Sequence, residues 1–164
     1  MAAQESGDAR YALDLLLKAG DVADSEGSSK ITEEHLQKAR KTAEDDKVFE
    51  AISKLPEHQK VVLYAIALLT TDSAKYQRLD GSTDDKVLFS GEVYEKYERV
   101  CHSVGKDPRS ARWCREYINE LDMLGLITTS VSGKGVRGNT TLIRLTFAPE
   151  KVKKAVEKSM NMES

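Results

Sequence analysis

Apolar residues return every three or four positions from Ala9 to Ala23, through Ala12, Leu13, Leu16 and Ala19. That spacing predicts a helix with one apolar face. Asp8, with Ser6 close by, stands where an N-cap belongs. The run Glu26-Gly27-Ser28-Ser29-Lys30 breaks the pattern. Thr32 is then the next N-cap, and Glu33 and Glu34 fall in a first turn, where the helix dipole favours negative charge. Leu36, Ala39 and Ala43 continue into Val48, Phe49 and Ile52. This predicts one long helix over 33–54, or two helices meeting near Asp45-Asp46. Pro56 suits the first turn of a further helix. Its stretch Val61 to Leu69 is apolar on every side, so this helix is expected at the centre of a core.

Thr70 to Lys86 is a seventeen-residue, largely polar connection with Gly81, Ser82 and four aspartates. A connection of that length is functional or mobile. Val87-Leu88-Phe89 reads as a short strand. Ser90 then caps a helix carrying Val93, Tyr94, Tyr97, Val100 and Cys101. Ser103 to Pro108 makes a turn. A helix follows from about Arg109 to Leu124 and stops at Gly125, a C′ glycine. The period then changes. Leu126 to Val131 is rich in β-branched residues, Ser132 to Asn139 carries three glycines, and Thr141 to Phe147 alternates, with Ile143, Leu145 and Phe147 on one face. This is a hairpin with a glycine-rich loop. Pro149 opens a last helix, with Val152, Ala155 and Val156 on one side. The expected fold is mostly α with a small β-hairpin. A separate helical unit over 1–55 precedes a winged helix-turn-helix over 56–164.

Composition narrows the classes. The 164 residues include 25 Lys+Arg and 27 Asp+Glu, and 40% are apolar, enough for a packed core. The longest apolar run is nine residues, against about 20 for a membrane span. No apolar h-region follows Met1, so no signal peptide is expected, and the two cysteines, Cys101 and Cys114, suit a reducing cytoplasm. Charge is uneven along the chain. Residues 1–55 hold 8 basic and 12 acidic side chains, residues 56–108 hold 7 and 9, and residues 109–164 hold 10 and 6. A basic last third attracts a phosphate backbone, and it is also compatible with a plain solvated face.

No motif reads as catalytic. His35, His58 and His102 are scattered among polar residues and are expected at the surface. Cys101 and His102 are neighbours without a second pair to complete a metal site. Cys114 is read as a small buried side chain. There is no P-loop. On the helix over 109–124, Trp113, Tyr117, Leu121 and Leu124 share a face, which Ile118 widens, and that face is assigned to the core. Arg112, Arg115 and Asn119 lie opposite, with Arg109 and Ser110 at the N-terminal end. A recognition helix contacts bases with its N-terminal residues. The same pattern also fits a solvated face with Arg112–Glu116 and Arg115–Asn119 partners. The hairpin loop happens to match GxGxxG at Gly133, Gly135 and Gly138, but a strand follows instead of a helix, which excludes a dinucleotide site. Lys134 and Arg137 at its tip are placed to reach phosphates or a narrow minor groove, or else belong to an ordinary hairpin tip.

Three stretches carry a resemblance. Gly7-Asp8-Ala9-Arg10-Tyr11-Ala12-Leu13-Asp14-Leu15-Leu16 resembles the sensor-2 helix in the lid of AAA+ replication initiators. Ile31-Thr32-Glu33-Glu34-His35-Leu36-Gln37-Lys38-Ala39 resembles the lid helix that follows it, and Tyr117-Ile118-Asn119-Glu120-Leu121-Asp122-Met123-Leu124-Gly125-Leu126-Ile127 resembles their recognition helix. Together they resemble the C-terminal part, AAA+ lid plus winged helix, of an archaeal origin-recognition (Orc/Cdc type) initiator. The resemblance implies binding of origin double-stranded DNA, with the recognition helix in the major groove and the wing on the minor groove. Arg109, Ser110, Arg112 and Arg115 match the helix contacts, and Lys134, Arg137, Asn139 and Thr140 match the wing. Arg10 matches the arginine that senses nucleotide in the parent, which uses ATP or ADP with Mg. The family's P-loop, Mg-binding motif and inserted DNA-touching helix are absent from these residues. The chain is therefore expected to hold no cofactor and to hydrolyse no ATP. A second reading is a protein-interaction winged helix that recruits the replicative helicase, with Tyr94 or Tyr97 as apolar anchors. A ligand-responsive regulator needs a dimerisation helix, and none is evident. The expected state is a monomer, cytoplasmic and nucleoid-associated.

Overall fold

Ala2 to Glu5 contains good helix formers and nothing that stops a helix. In the computed structural model, which describes residues 2–73, 87–131 and 140–162, the first helix accordingly begins early: α1 spans Ala2–Ser25. Ser6 and Asp8 therefore lie inside the helix and not at its cap. A single uninterrupted helix, α2, covers Glu33–Ser53. Asp45-Asp46 makes no break. The chain divides into two compact units between Val48 and Phe49, within α2.

In the first unit the buried apolar side chains are small: Ala19, Ala23, Ala39 and Ala43, with Val48. Polar ties join its helices. Lys18 pairs with Asp46, and Lys47 sits over the Tyr11 ring at 4.5 Å. His35 is buried, against the expectation of a surface histidine. The Thr32 N–H donates to its Nδ1 at 3.1 Å, as a glutamate at the same position would accept in a capping box, and its Nε2 lies 3.2 Å from Glu26. Lys38 completes the cluster at 2.8 Å from Glu26. Leu13, Leu16, Leu17 and Ile31 are exposed.

The second unit is built on α3, Glu57–Ser73. Pro56 precedes this helix instead of sitting in its first turn, and its carbonyl accepts the Lys60 N–H at 3.1 Å. Val61, Val62, Leu63, Ala65, Ile66 and Ala67 are all buried, as an all-round apolar helix requires. Thr70 to Ser73 belong to α3, with the Thr70 hydroxyl donating back to the Ile66 carbonyl at 2.8 Å. The polar connection is thus shorter than its composition suggested, and its remainder, 74–86, lies outside the described residues.

Strand β1 is Leu88–Phe89, and α4 is Ser90–Ser103. Ser90 is the first helical residue and not the cap. Phe89 holds the cap position, and its N–H donates to Glu92 at 3.0 Å. Helix α5 is Ala111–Met123, β2 is Ile127–Val131, β3 is Thr141–Leu145 and α6 is Pro149–Met160. The sheet is antiparallel with order β1-β3-β2. Leu88 pairs with Ile143, and Thr129 with Ile143 from the other side. Helices α4, α5 and α6 pack on α3. The Tyr64 hydroxyl, held well above its ordinary range at about 12 by burial, donates to Glu157 of α6 at 2.7 Å. The described elements form a mostly helical chain with a small three-stranded sheet, in the order of a winged helix.

Candidate nucleic-acid interface

Helix α5 is anchored at both ends and along one stripe. The stripe is Cys114, Ile118 and Leu121, all buried, at i, i+4 and i+7. This displaces the expected core face by one position. Trp113 is 56% exposed and Leu124 60% exposed, while Tyr117 is half-buried. The expected and observed faces share Ile118 and Leu121. Trp113 and Leu124 stand away from the buried stripe, while Tyr117 keeps a contact with α3. Trp113 instead stacks on Tyr117, with ring centroids 6.2 Å apart, and Tyr117 stacks on His58 of α3 at the same separation. His58 is therefore half-buried, another departure from the surface assignment. His102 is exposed as expected.

The C-terminal end of α5 closes in a Schellman turn. Gly125 takes φ +70°, the Leu126 N–H reaches the Leu121 carbonyl at 3.0 Å, and the Gly125 N–H reaches that of Asp122 at 2.9 Å. Asp122 then clasps the wing. Its carboxylate accepts the Thr129 N–H at 3.2 Å and the Thr129 hydroxyl at 2.7 Å, tying α5 to β2. An acid in the last turn opposes the helix dipole, so its place there needs a tertiary partner, and Thr129 is that partner. That local conflict is the sequence signal that marks Asp122.

The N-terminal end is held by tyrosines. The Arg109 N–H donates to the Tyr97 hydroxyl at 3.0 Å, and the Tyr94 hydroxyl donates to the Arg109 carbonyl at 3.4 Å. Ser110 is the N-cap by backbone geometry, and its hydroxyl makes no capping bond. Tyr97 is fully buried and Tyr94 half-buried, so neither is an exposed anchor for a partner protein. Gln59 of α3 donates to Glu120, which fixes the flank of α5 that carries Trp113.

The outward face of α5 carries Arg112, Arg115, Glu116 and Asn119, all exposed. Among the described residues none of these four side chains is hydrogen-bonded or ion-paired, so the i,i+4 partners that would make this a self-satisfied face are not formed. Arg109 is exposed just ahead of them. Lys134, Arg137 and Asn139 lie outside the described residues. Thr140 is half-buried at the entry to β3. Arg10 is exposed on α1, in the other unit. Among the described residues no group of three or more His, Cys, Asp or Glu is placed to hold a metal ion. No described helix is long and apolar enough to cross a membrane.

Residues 50–155 match the family described as CDC6, C terminal winged helix domain. The chain belongs to that family. Residues 1–41 match the Cdc6 AAA+ ATPase-type lid domain. Relatives of the Cdc6-type chain include the ORC1-type DNA replication proteins of Thermococcus onnurineus, 45% identical over 93% of this chain and 34% of the relative, and of Pyrococcus abyssi, 42% identical over the same shares. Among solved structures, the Aeropyrum pernix ORC1 protein in complex with DNA matches with TM-score 0.69 and 33% identity, over 92% of this chain and 36% of that one. The Cdc6 protein of Pyrobaculum aerophilum, 24% identical with TM-score 0.54, shares the fold. The chain spans about a third of the length of the curated relatives it matches. The resemblance to archaeal initiators thus holds for both the Cdc6 lid and the Cdc6 winged helix.

Proposed function

We propose that this chain binds origin double-stranded DNA as the C-terminal part of a replication initiator. Helix α5 enters the major groove, with Arg109, Ser110, Arg112 and Arg115 toward DNA. The β2–β3 wing lies on the minor groove, with Lys134, Arg137, Asn139 and Thr140 toward it. The observation that carries the reading is the outward pair Arg112 and Arg115, exposed and without a side-chain partner on a helix oriented by its buried stripe. Arginine pairs bidentately with guanine O6 and N7, worth about 1–3 kcal/mol of discrimination per good pair. The solved ORC1 relative in complex with DNA supports the same reading. In the longer protein, Arg10 reports on bound ATP or ADP with Mg, and the lid and winged helix perform no hydrolysis by themselves.

The test is fluorescence anisotropy of two labelled duplexes, one carrying a candidate origin repeat and one its scrambled counterpart, titrated at several salt concentrations. Tighter binding to the repeat is expected. The log–log salt slope should be near about −0.9 per phosphate neutralised. Equal, weak binding to both probes assigns specificity to another part of the initiator. No binding at low salt refutes the reading.

A second reading, recruitment of the replicative helicase, draws on the exposed apolar side chains Trp113, Met123 and Leu124 on and just beyond α5. Association through such anchors depends little on salt, which separates it from duplex binding.

A further inference from the structure

Behind the outward face of α5 runs a chain of hydrogen bonds that duplex binding, as proposed above, does not use directly. The Arg109 N–H donates to the Tyr97 hydroxyl at 3.0 Å, and that hydroxyl lies 2.8 Å from His58 Nδ1. The Tyr97 oxygen accepts from Arg109, and two acceptors are within reach of its own proton, His58 Nδ1 and the Cys101 sulfur. Nδ1 accepts it only in the neutral Nε2–H form of the imidazole, and a protonated Nδ1 would instead donate to the Tyr97 oxygen. Tyr97 is fully buried, so no bulk water replaces a lost partner. The ring of His58 is also fixed by stacking on Tyr117, parallel to within 5°.

The groups facing His58 are Glu57 on its own helix, Tyr97 on α4, Lys106 and Arg109 in the α4–α5 connection, and Tyr117 on α5. Glu57 is already engaged by Lys106 at 2.7 Å. A proton on His58 would therefore meet two cations and a carboxylate that is already paired, and it would turn the Tyr97 proton away from Nδ1 toward the Cys101 sulfur of α4.

We propose that His58 and Tyr97 are positioning residues for duplex binding: neutral His58 orients the Tyr97 hydroxyl that holds the Arg109 amide and so sets the entry of α5, and protonation of His58 reverses the His58–Tyr97 hydrogen bond and loosens that hold. The inference rests on the duplex-binding reading. Arg109 stands immediately before the N-cap Ser110, so its backbone orientation governs where Arg109, Ser110 and Arg112 present their groups. Tyr94, at 3.4 Å from the Arg109 carbonyl, provides only a long second hold.

The experiment uses the full chain, with anisotropy on the origin-repeat duplex from about pH 8 to about pH 5, the range in which histidine changes charge. His58→Asn keeps an acceptor near the Nδ1 position and cannot titrate. His58→Leu and Tyr97→Phe remove the link. At the alkaline end His58→Asn binds like the wild type, and the other two bind about fivefold more weakly, the equivalent of one hydrogen bond. On acidification the wild type weakens relative to His58→Asn. In ¹H–¹⁵N spectra without DNA, the Arg109 amide shift follows His58 protonation in the wild type and is flat in all three variants. Should Tyr97→Phe fail to fold, the two His58 variants carry the same comparison. Parallel pH profiles for wild type and His58→Asn, or an Arg109 amide blind to His58, overturn the proposal while leaving duplex binding intact. If the wild type binds no duplex at any pH, the duplex reading falls, and the positioning role falls with it.

Discussion

Cys101 and Cys114 are both buried in the second unit, where burial pushes the thiols up, Cys114 to about 12. The thiolate is the reactive form, so both should resist alkylation in the folded protein at about pH 8 and react at once in denaturant. Rapid labelling of either under native conditions would show that the helix stripe opens readily. His58 gives a second residue-level expectation. Burial, then the charges of Arg109 and Lys106, hold its pKa below the ordinary 6.5, with Glu57 partly opposing. A group with a depressed folded value contributes stability that is full above the unfolded value and is lost as pH falls through the folded one. Denaturant midpoints should therefore decline below about pH 6.5 in the wild type more than in His58→Asn. Cys114 was legible as buried because it sits at helical spacing with Ile118 and Leu121. Trp113 was not, since the competing stripe Trp113–Tyr117–Leu121–Leu124 has the same period and a greater apolar content. The burial of His58 was not legible because its sequence neighbours are polar, and the rings that meet it, Tyr97 and Tyr117, come from other helices.

At the scale of elements, the join between α5 and the wing is the sensitive point. Asp122→Ala leaves the Thr129 N–H and hydroxyl without their acceptor, a loss of about 2 kcal/mol, and regains about 0.5 kcal/mol by removing an acid from a helix C-terminus. A net destabilisation of about 1.5 kcal/mol is expected in urea unfolding. Contacts made by the wing should weaken more than those made by α5. Gly125→Ala tests the turn itself. An added Cβ there meets nothing within 4 Å, so the cost is conformational, about 1 kcal/mol for a left-handed backbone. A neutral result would mean that the turn can relax to a negative φ without losing its Leu121 and Asp122 carbonyl bonds. The existence and order of the described elements were readable from period changes and from Gly125. Their ends were not. α1 starts seven residues before Ala9, where its apolar pattern first shows, and α5 starts two residues after Arg109.

For the molecule as a whole, the proposed interface divides into two kinds of contact. Arg112→Ala and Arg115→Ala should each reduce the preference for the repeat over the scrambled duplex by about 1–3 kcal/mol. Lys134→Ala and Arg137→Ala should weaken both duplexes alike and flatten the salt slope by about 0.9 each. Four variants that bind like the wild type would remove the docking arrangement. Charge distribution places both kinds of contact in the basic last third of the chain but does not separate them, since all four residues lie there.

The amino-acid sequence by itself determined the helical first unit, the winged-helix element order, the central apolar helix and the stretches that carry the Cdc6 likeness. Those depend on local period, caps and composition, which short segments express alone. Tertiary structure decided which stripe of α5 is buried, and hence that Arg112 and Arg115 stand free of partners. It also decided that Asp122 belongs to Thr129 and that His58 reaches Arg109 through Tyr97. These pairings join residues 7, 12 and 39 positions apart. Only the packing of α3, α4, α5 and the sheet brings their polar atoms within hydrogen-bond distance, because a pattern read along one element carries no information about the groups that another element sets against it.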